Sequence, residues 1–136
     1  MGHIYSYFGS SISINSGVAA IGAPTAGILE GDGSGAVYLF RHEDGEWMPD
    51  QKLKPAVTTD QQAFGNNVIN QGDRIFGLAY DGIYVFRRKG ATWKEVAKLA
   101  PNGRFNPESM AANDNTLIAA TDTGIWLYDL SALDCR

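Results

Sequence analysis

Short apolar runs, each closed by a turn, set the pattern of this chain. Ser11 to Ile14 alternates apolar with polar and stops at a turn containing Asn15 and Gly17. Val18 to Ala23 is a second apolar run. Val37-Tyr38-Leu39-Phe40 is a third, rich in the β-branched and aromatic residues that suit a pleated surface. Glu46 to Leu53 is a fourth and more polar run, the kind that sits on a sheet edge. The Asn-x-Gly turns supply the positive φ angles that tight hairpins demand. No stretch sustains apolar spacing of three and four residues, so no long helix is expected.

The pattern then repeats. Gly35-Ala36-Val37-Tyr38-Leu39-Phe40-Arg41 returns as Gly82-Ile83-Tyr84-Val85-Phe86-Arg87, and again as Gly124-Ile125-Trp126-Leu127-Tyr128-Asp129. Phe40 and Phe86, Trp47 and Trp93, Leu53 and Leu99 are each 46 residues apart. The third copy is worn: Phe105 lacks a following glycine, Asn113-Asp114-Asn115 stands where the turn should be, and no Trp or Lys-Leu follows. Four short strands repeated at about 40–50 residues are the blades of a β-propeller. The expectation is an all-β protein of about three four-stranded antiparallel blades, with blade one at about residues 8–55, blade two at 64–101 and blade three at 105–130.

The order of motifs adds a resemblance. Phe8-Gly9, a short hairpin, Gly22-Ala23-Pro24, then Gly35 to Phe40, then Trp47 and Lys52-Leu53 resembles the FG-GAP repeat. Phe64-Gly65 opens the second copy, where Gly77-Leu78-Ala79 has lost the proline. Such repeats build the propeller of integrin α-subunits and of many bacterial surface or secreted proteins. The resemblance implies a propeller, a binding or adhesion role toward protein or glycan, and an extracellular or cell-surface setting. It also implies a calcium loop of Asp-x-Asp-x-Asp-Gly type between first and second strands. This chain has only tight turns there, too short to wrap the about 6–8 oxygens that Ca²⁺ takes.

Propellers close with about 4–8 blades, and this chain holds fewer. The third unit also lacks its outer strand, which His3-Ile4-Tyr5-Ser6-Tyr7 could supply. A homodimer would close a six-bladed ring without open edges. A fragment of a larger propeller, or an open array, is the alternative.

Composition excludes several function classes. Apolar residues make up 44% of the 136 and charged residues 19%, enough for a buried core, and the 16 glycines fit a turn-rich β protein. Net charge is −4 and the longest basic run, Arg87-Arg88-Lys89, is a turn, so nucleic-acid binding is not expected. No stretch of about 18 apolar residues exists for a membrane-spanning helix. Met1-Gly2-His3 has neither a basic nor an apolar segment, so the expectation is either a chain that stays inside or a mature form. Cys135 is alone, so neither a disulfide within the chain nor thiol catalysis is expected.

Candidate chemistry comes from subtracting the repeat. Residues that recur, such as Phe8/Phe64, Trp47/Trp93 and Leu53/Leu99, are explained by core and blade-to-blade packing. What does not recur is open to function: the Thr25–Ser34 loop, the Thr58–Gln62 loop, Tyr80-Asp81, and the Asn102–Phe105 loop. Tyr80, Asp81, Arg104 and Phe105 are the candidate ligand-binding residues, since aromatics beside carboxylate, amide or cation suit sugar and peptide recognition. Glu30, Asp32 and Ser34 alternate oxygen side chains between glycines, which makes them the one candidate metal set, for Ca²⁺. Otherwise no cofactor is expected. No Ser-His-Asp or Cys-His grouping is legible, so a non-catalytic module is expected. The alternative is a propeller hydrolase or lyase acting on carbohydrate, with Asp81 and Asp122, or Glu43 and Asp44, as acid–base carboxylates.

Overall fold

The structure, a computed structural model, describes residues 7–26, 33–59, 62–100 and 107–133. The four expected runs of the first repeat are strands β1 (Ser11–Asn15), β2 (Val18–Ala23), β3 (Ala36–Glu43) and β4 (Glu46–Leu53). They pair antiparallel in chain order as one sheet. A second four-stranded sheet follows the same order: β5 (Asn67–Asn70), β6 (Arg74–Ala79), β7 (Gly82–Lys89) and β8 (Thr92–Leu99). The third has three strands among the described residues, β9 (Pro107–Ala112), β10 (Thr116–Thr121) and β11 (Gly124–Asp129), and a 3₁₀ turn at Leu130–Leu133 follows. The chain is all-β and builds propeller-type blades. Of the segment expected to supply a fourth strand, residues 3–6 lie outside the described residues; Tyr7 belongs to the turn before Phe8. No described helix is long and apolar enough to cross a membrane.

The register fixes which residues share a face, because side chains alternate along each strand. In β7, Tyr84 and Phe86 look back to the first sheet, while Ile83 and Val85 look forward to the third. In β6 the split is Ile75 and Ala79 against Phe76 and Leu78. The second blade is thus buried on both faces, which explains why β6 reads as a continuous apolar run rather than an alternating one. Its backward face packs Phe64, Val68, Tyr84 and Trp93 on the forward face of blade one, made by Val18, Ala20, Val37, Leu39 and Leu53. Its forward face packs on Leu117 and Ala119 of blade three, with Leu130 and Leu133 closing the cluster.

Neighbouring blades meet closely at their first strands. There the Phe64-Gly65 motif does specific work. Phe64 N–H donates to Ser34 O at 2.8 Å, and Phe64 bridges Gly35 in parallel fashion. Ser11 Oγ donates to Gly65 O at 3.1 Å. A Cβ on Gly22 would collide with that same carbonyl, and one on Gly65 would come within 2.5 Å of Ala36 O. The glycines of one blade and the Phe-Gly of the next are therefore two halves of one backbone seam.

A template residue is not buried in every copy. Phe64 and Trp93 are 0% and 3% exposed, but Phe8 and Trp47 are 42% and 46% exposed. Blade packing accounts for the second pair only in part: no described residues lie across the face they stand on.

Candidate functional site

Strand connections sort onto two ends of the stack. The β1–β2, β3–β4, β5–β6, β7–β8 and β9–β10 turns lie at one end, where Asn15 Nδ2 donates to Asn70 O and Gln71 Nε2 to Asn113 O between blades. The β2–β3, β4–β5, β6–β7, β8–β9 and β10–β11 connections open at the other. Every described stretch that does not recur between repeats belongs to this second end. Antiparallel meanders force that segregation, because each pair of turns alternates ends.

At this end the structure ties the β6–β7 turn to the β4–β5 connection. Tyr80 N–H donates to Gln62 O at 2.9 Å. Gln62 is 2% exposed, and its side-chain amide is spent on several partners. Nε2 donates to Tyr84 Oη at 2.7 Å and to both Asp81 oxygens at 3.3 and 3.2 Å. Its Oε1 accepts from Thr59 N–H at 3.2 Å. Tyr84 Oη in turn donates to Asp81 Oδ2 at 2.8 Å, and Lys98 Nζ donates to the same oxygen at 3.1 Å. Lys98 also lies 5.5 Å from the Tyr84 ring centroid.

The electrostatics follow from this crowding of donors. Burial works to raise the Asp81 pKa, but hydrogen bonds from Tyr84, Lys98 and Gln62 outweigh it and hold the carboxyl below its usual value. Tyr84 is pushed well above the ordinary tyrosine range, first by burial and then by its bond to the Asp81 carboxylate. The result is a fixed anion with both oxygens engaged. Beside it Tyr80 stands 50% exposed, its ring offered to solvent at the turn.

The structure thus brings Tyr80 and Asp81 together on one turn. Arg104 and Phe105 lie outside the described residues, as do Glu30 and Asp32 of the candidate metal set. Ser34 is fully buried, and its Oγ has no partner among the described residues. Its backbone carbonyl is what the seam uses. Among the described residues no three His, Cys, Asp or Glu side chains gather as a metal cage. Sequence reasoning reached Gln62 only as the end of the non-recurring Thr58–Gln62 loop, without a role, and did not reach Lys98. Gln62 stands two residues before Phe64, where the first repeat has Ser6, and that non-recurrence is the signal that placed its loop among the candidates. Lys98 was hidden by recurrence: Lys52 sits the same 5.5 Å from the ring of Tyr38 in blade one.

Away from this end, a cleft of about 280 Å³ opens between the outer strands of blades one and two, against Phe86 and Trp93 and beside Lys52, Lys54 and Lys94. It is spanned by Gln51, whose amide donates to Trp93 O and accepts from Trp93 N–H, both at 2.8 Å.

The seam explains why Phe-Gly and a Gly-Ala-Pro triplet occur together, and the family model described as FG-GAP repeat matches residues 2–40. The chain carries an FG-GAP repeat. None of the curated proteins matches it. The FG-GAP unit spans blade one as far as Phe40 in β3, and the second sheet repeats its architecture strand for strand.

Proposed function

We propose that this FG-GAP propeller-type module is a non-catalytic recognition domain that meets a protein or glycan ligand with its loop end. The observation that carries the reading is Tyr80, an exposed ring on a turn held rigid from beneath by Gln62, Asp81, Tyr84 and Lys98. A pre-set aromatic beside polar groups binds with little ordering cost.

The reading needs no metal or cofactor. Against a hydrolase, it is supported by the state of Asp81. A general acid wants a raised pKa and a nucleophile wants an unencumbered oxygen, whereas Asp81 has a lowered pKa and engaged oxygens. The test is a glycan array and a displayed-peptide library screened with the protein and with Tyr80→Ala. Hits that Tyr80→Ala loses, with its melting temperature unchanged, support the reading. Hits indifferent to Tyr80→Ala, or none in either screen, defeat it.

A further inference from the structure

The basic run Arg87-Arg88-Lys89 is not itself the turn: it ends β7, and Gly90-Ala91 turn the chain into β8. Its counterpart in blade one, 46 residues earlier, carries the opposite charge. Residues 41–50 hold one cation, Arg41, and four acids, Glu43, Asp44, Glu46 and Asp50. Residues 87–96 hold four cations, Arg87, Arg88, Lys89 and Lys94, and one acid, Glu95. The two hairpins share strands and register, with Arg41 opposite Met48 and Arg87 opposite Lys94. The architecture therefore does not demand the cations. Solubility does not demand them either, because in a chain of net charge −4 they bring the total nearer zero.

The register makes the arrangement unfavourable for the fold. Arg74 stands opposite Arg87, and Arg87 opposite Lys94. Like charges directly opposite one another destabilise a sheet. Strands about 4.8 Å apart set these three cations in a row about 10 Å long on one face. Blade one has Val18, Arg41 and Met48 in that row. Arg74, at the inner end, is buried and donates to Gln71 Oε1 and Asp114 O. Arg88, Lys89 and Lys94 are exposed, and among the described residues none of them pairs with a carboxylate. Glu95 does not neutralise the row: it stands opposite Phe86, on the other face, and accepts from Ala56 N–H at 2.8 Å.

Blade one shows what a cationic hairpin of this shape takes. Arg41 Nε donates to Glu43 Oε2 at 2.6 Å and Nη1 to Asp50 Oδ1 at 3.3 Å. Blade two has Lys89 and Val96 at those two places. We infer that the β7–β8 hairpin binds a short acidic peptide segment of a partner protein, which brings to Arg88, Lys89 and Lys94 the carboxylates that blade one carries in its own sequence. Clusters of this kind read acidic motifs through charge-assisted hydrogen bonds. The acids of blade one stand at the same end of the stack, so a membrane or a nucleic-acid duplex would meet both signs of charge. A short segment meets the one hairpin alone. Side chains hold it, and not strand addition, because Gln51 already occupies Trp93 N–H and O on the outer edge of β8. The surface lies at the end opposite Tyr80, so it stands apart from the loop-end reading.

The test is fluorescence anisotropy of a labelled hexaglutamate peptide, with hexaglutamine as the uncharged control, at low and at physiological salt. Three variants decide it. Lys94→Met removes one cation. Arg88→His, Lys89→Glu and Lys94→Met together write the residues of blade one into blade two, where His42 stacks on Trp47 as Arg88 lies over Trp93. Lys52→Gln removes an exposed cation away from the hairpin. Lys94→Met should weaken hexaglutamate binding about two- to fivefold and the triple change more than about tenfold, while Lys52→Gln changes it less than about twofold. Binding should also weaken as salt rises. The melting temperature of Lys94→Met should hold or rise, since a like-charge neighbour is gone. A fall in that temperature overturns the inference, because the row is then structural. So does hexaglutamate that binds no tighter than hexaglutamine, or that the triple change leaves unaffected. Hairpin-dependent binding of a sulfated polysaccharide or of phosphatidylserine vesicles, without binding of hexaglutamate, overturns it in favour of that ligand.

Discussion

Gly65→Ala and Gly9→Ala form a matched pair that isolates the energy of the blade seam. Both positions sit at nearly the same positive φ, 99° and 92°. Both substitutions therefore incur a similar backbone strain, about 1–2 kcal/mol for a left-handed alanine. Only at position 65 does the new methyl meet anything. It would lie 2.5 Å from Ala36 O and 3.1 Å from Ala23 N, both rigid backbone atoms of blade one. Relieving the first contact needs a shift of about an ångström toward an ordinary van der Waals separation, and overpacking of this kind costs about 1–3 kcal/mol. The shift also stretches the bond from Ser11 Oγ to Gly65 O, worth about 1 kcal/mol. The difference between the two variants should then be about 2–4 kcal/mol.

The pair should be measured by thermal and urea unfolding. For a domain of this size about 1 kcal/mol corresponds to about 3–4 °C, so Gly65→Ala should melt about 6–16 °C below Gly9→Ala. Equal melting temperatures would refute the reasoning, because the seam would then carry no steric constraint.

The same comparison of copies gives Trp93→Ala a cost of about 3–5 kcal/mol in urea unfolding, as for any large buried aromatic, and half-exposed Trp47→Ala less than half of that. Tyr84→Phe should flatten the alkaline limb of the stability curve: a phenol held above its ordinary value of 10.0 contributes fully below about pH 10 and loses that contribution as pH rises further. The check is unfolding between pH 8 and 11 against the unchanged protein, where parallel curves would count against the Asp81–Tyr84 bond. Asp81→Asn should act at the other end. A carboxyl held below its usual 3.8 contributes above about pH 4 and loses that contribution as pH falls, so the variant should show a shallower acid limb below pH 4.

Blade architecture was legible because it rests on local rules: alternation, turn glycines and a polar fourth strand each appear within a few residues of sequence. The β1–β4 and β5–β8 sheets needed nothing from outside their own repeat. Burial was less legible, because it depends on the neighbour and not on the residue. Phe8 and Phe64 are the same letter in the same motif with the same backbone, yet one is 42% exposed and the other 0%. Recurrence alone reads both as packing residues, and the contrast appears only when the stack is built. The site was half legible for a related reason. Subtracting the template isolated Tyr80 and Asp81, which are what differs between copies. It passed over Lys98 and Tyr84, which every copy of the cross-strand pair shares. A function laid on a repeat borrows template residues for its support. Asp81 is held by one residue peculiar to blade two, Gln62, and by two that blade one also owns as Tyr38 and Lys52. On the function proposed above, specificity at this end resides in the connections, while rigidity is inherited from the strands. Changes in the loops should alter what is bound without unfolding the blade, and changes at Tyr84 or Lys98 should do both.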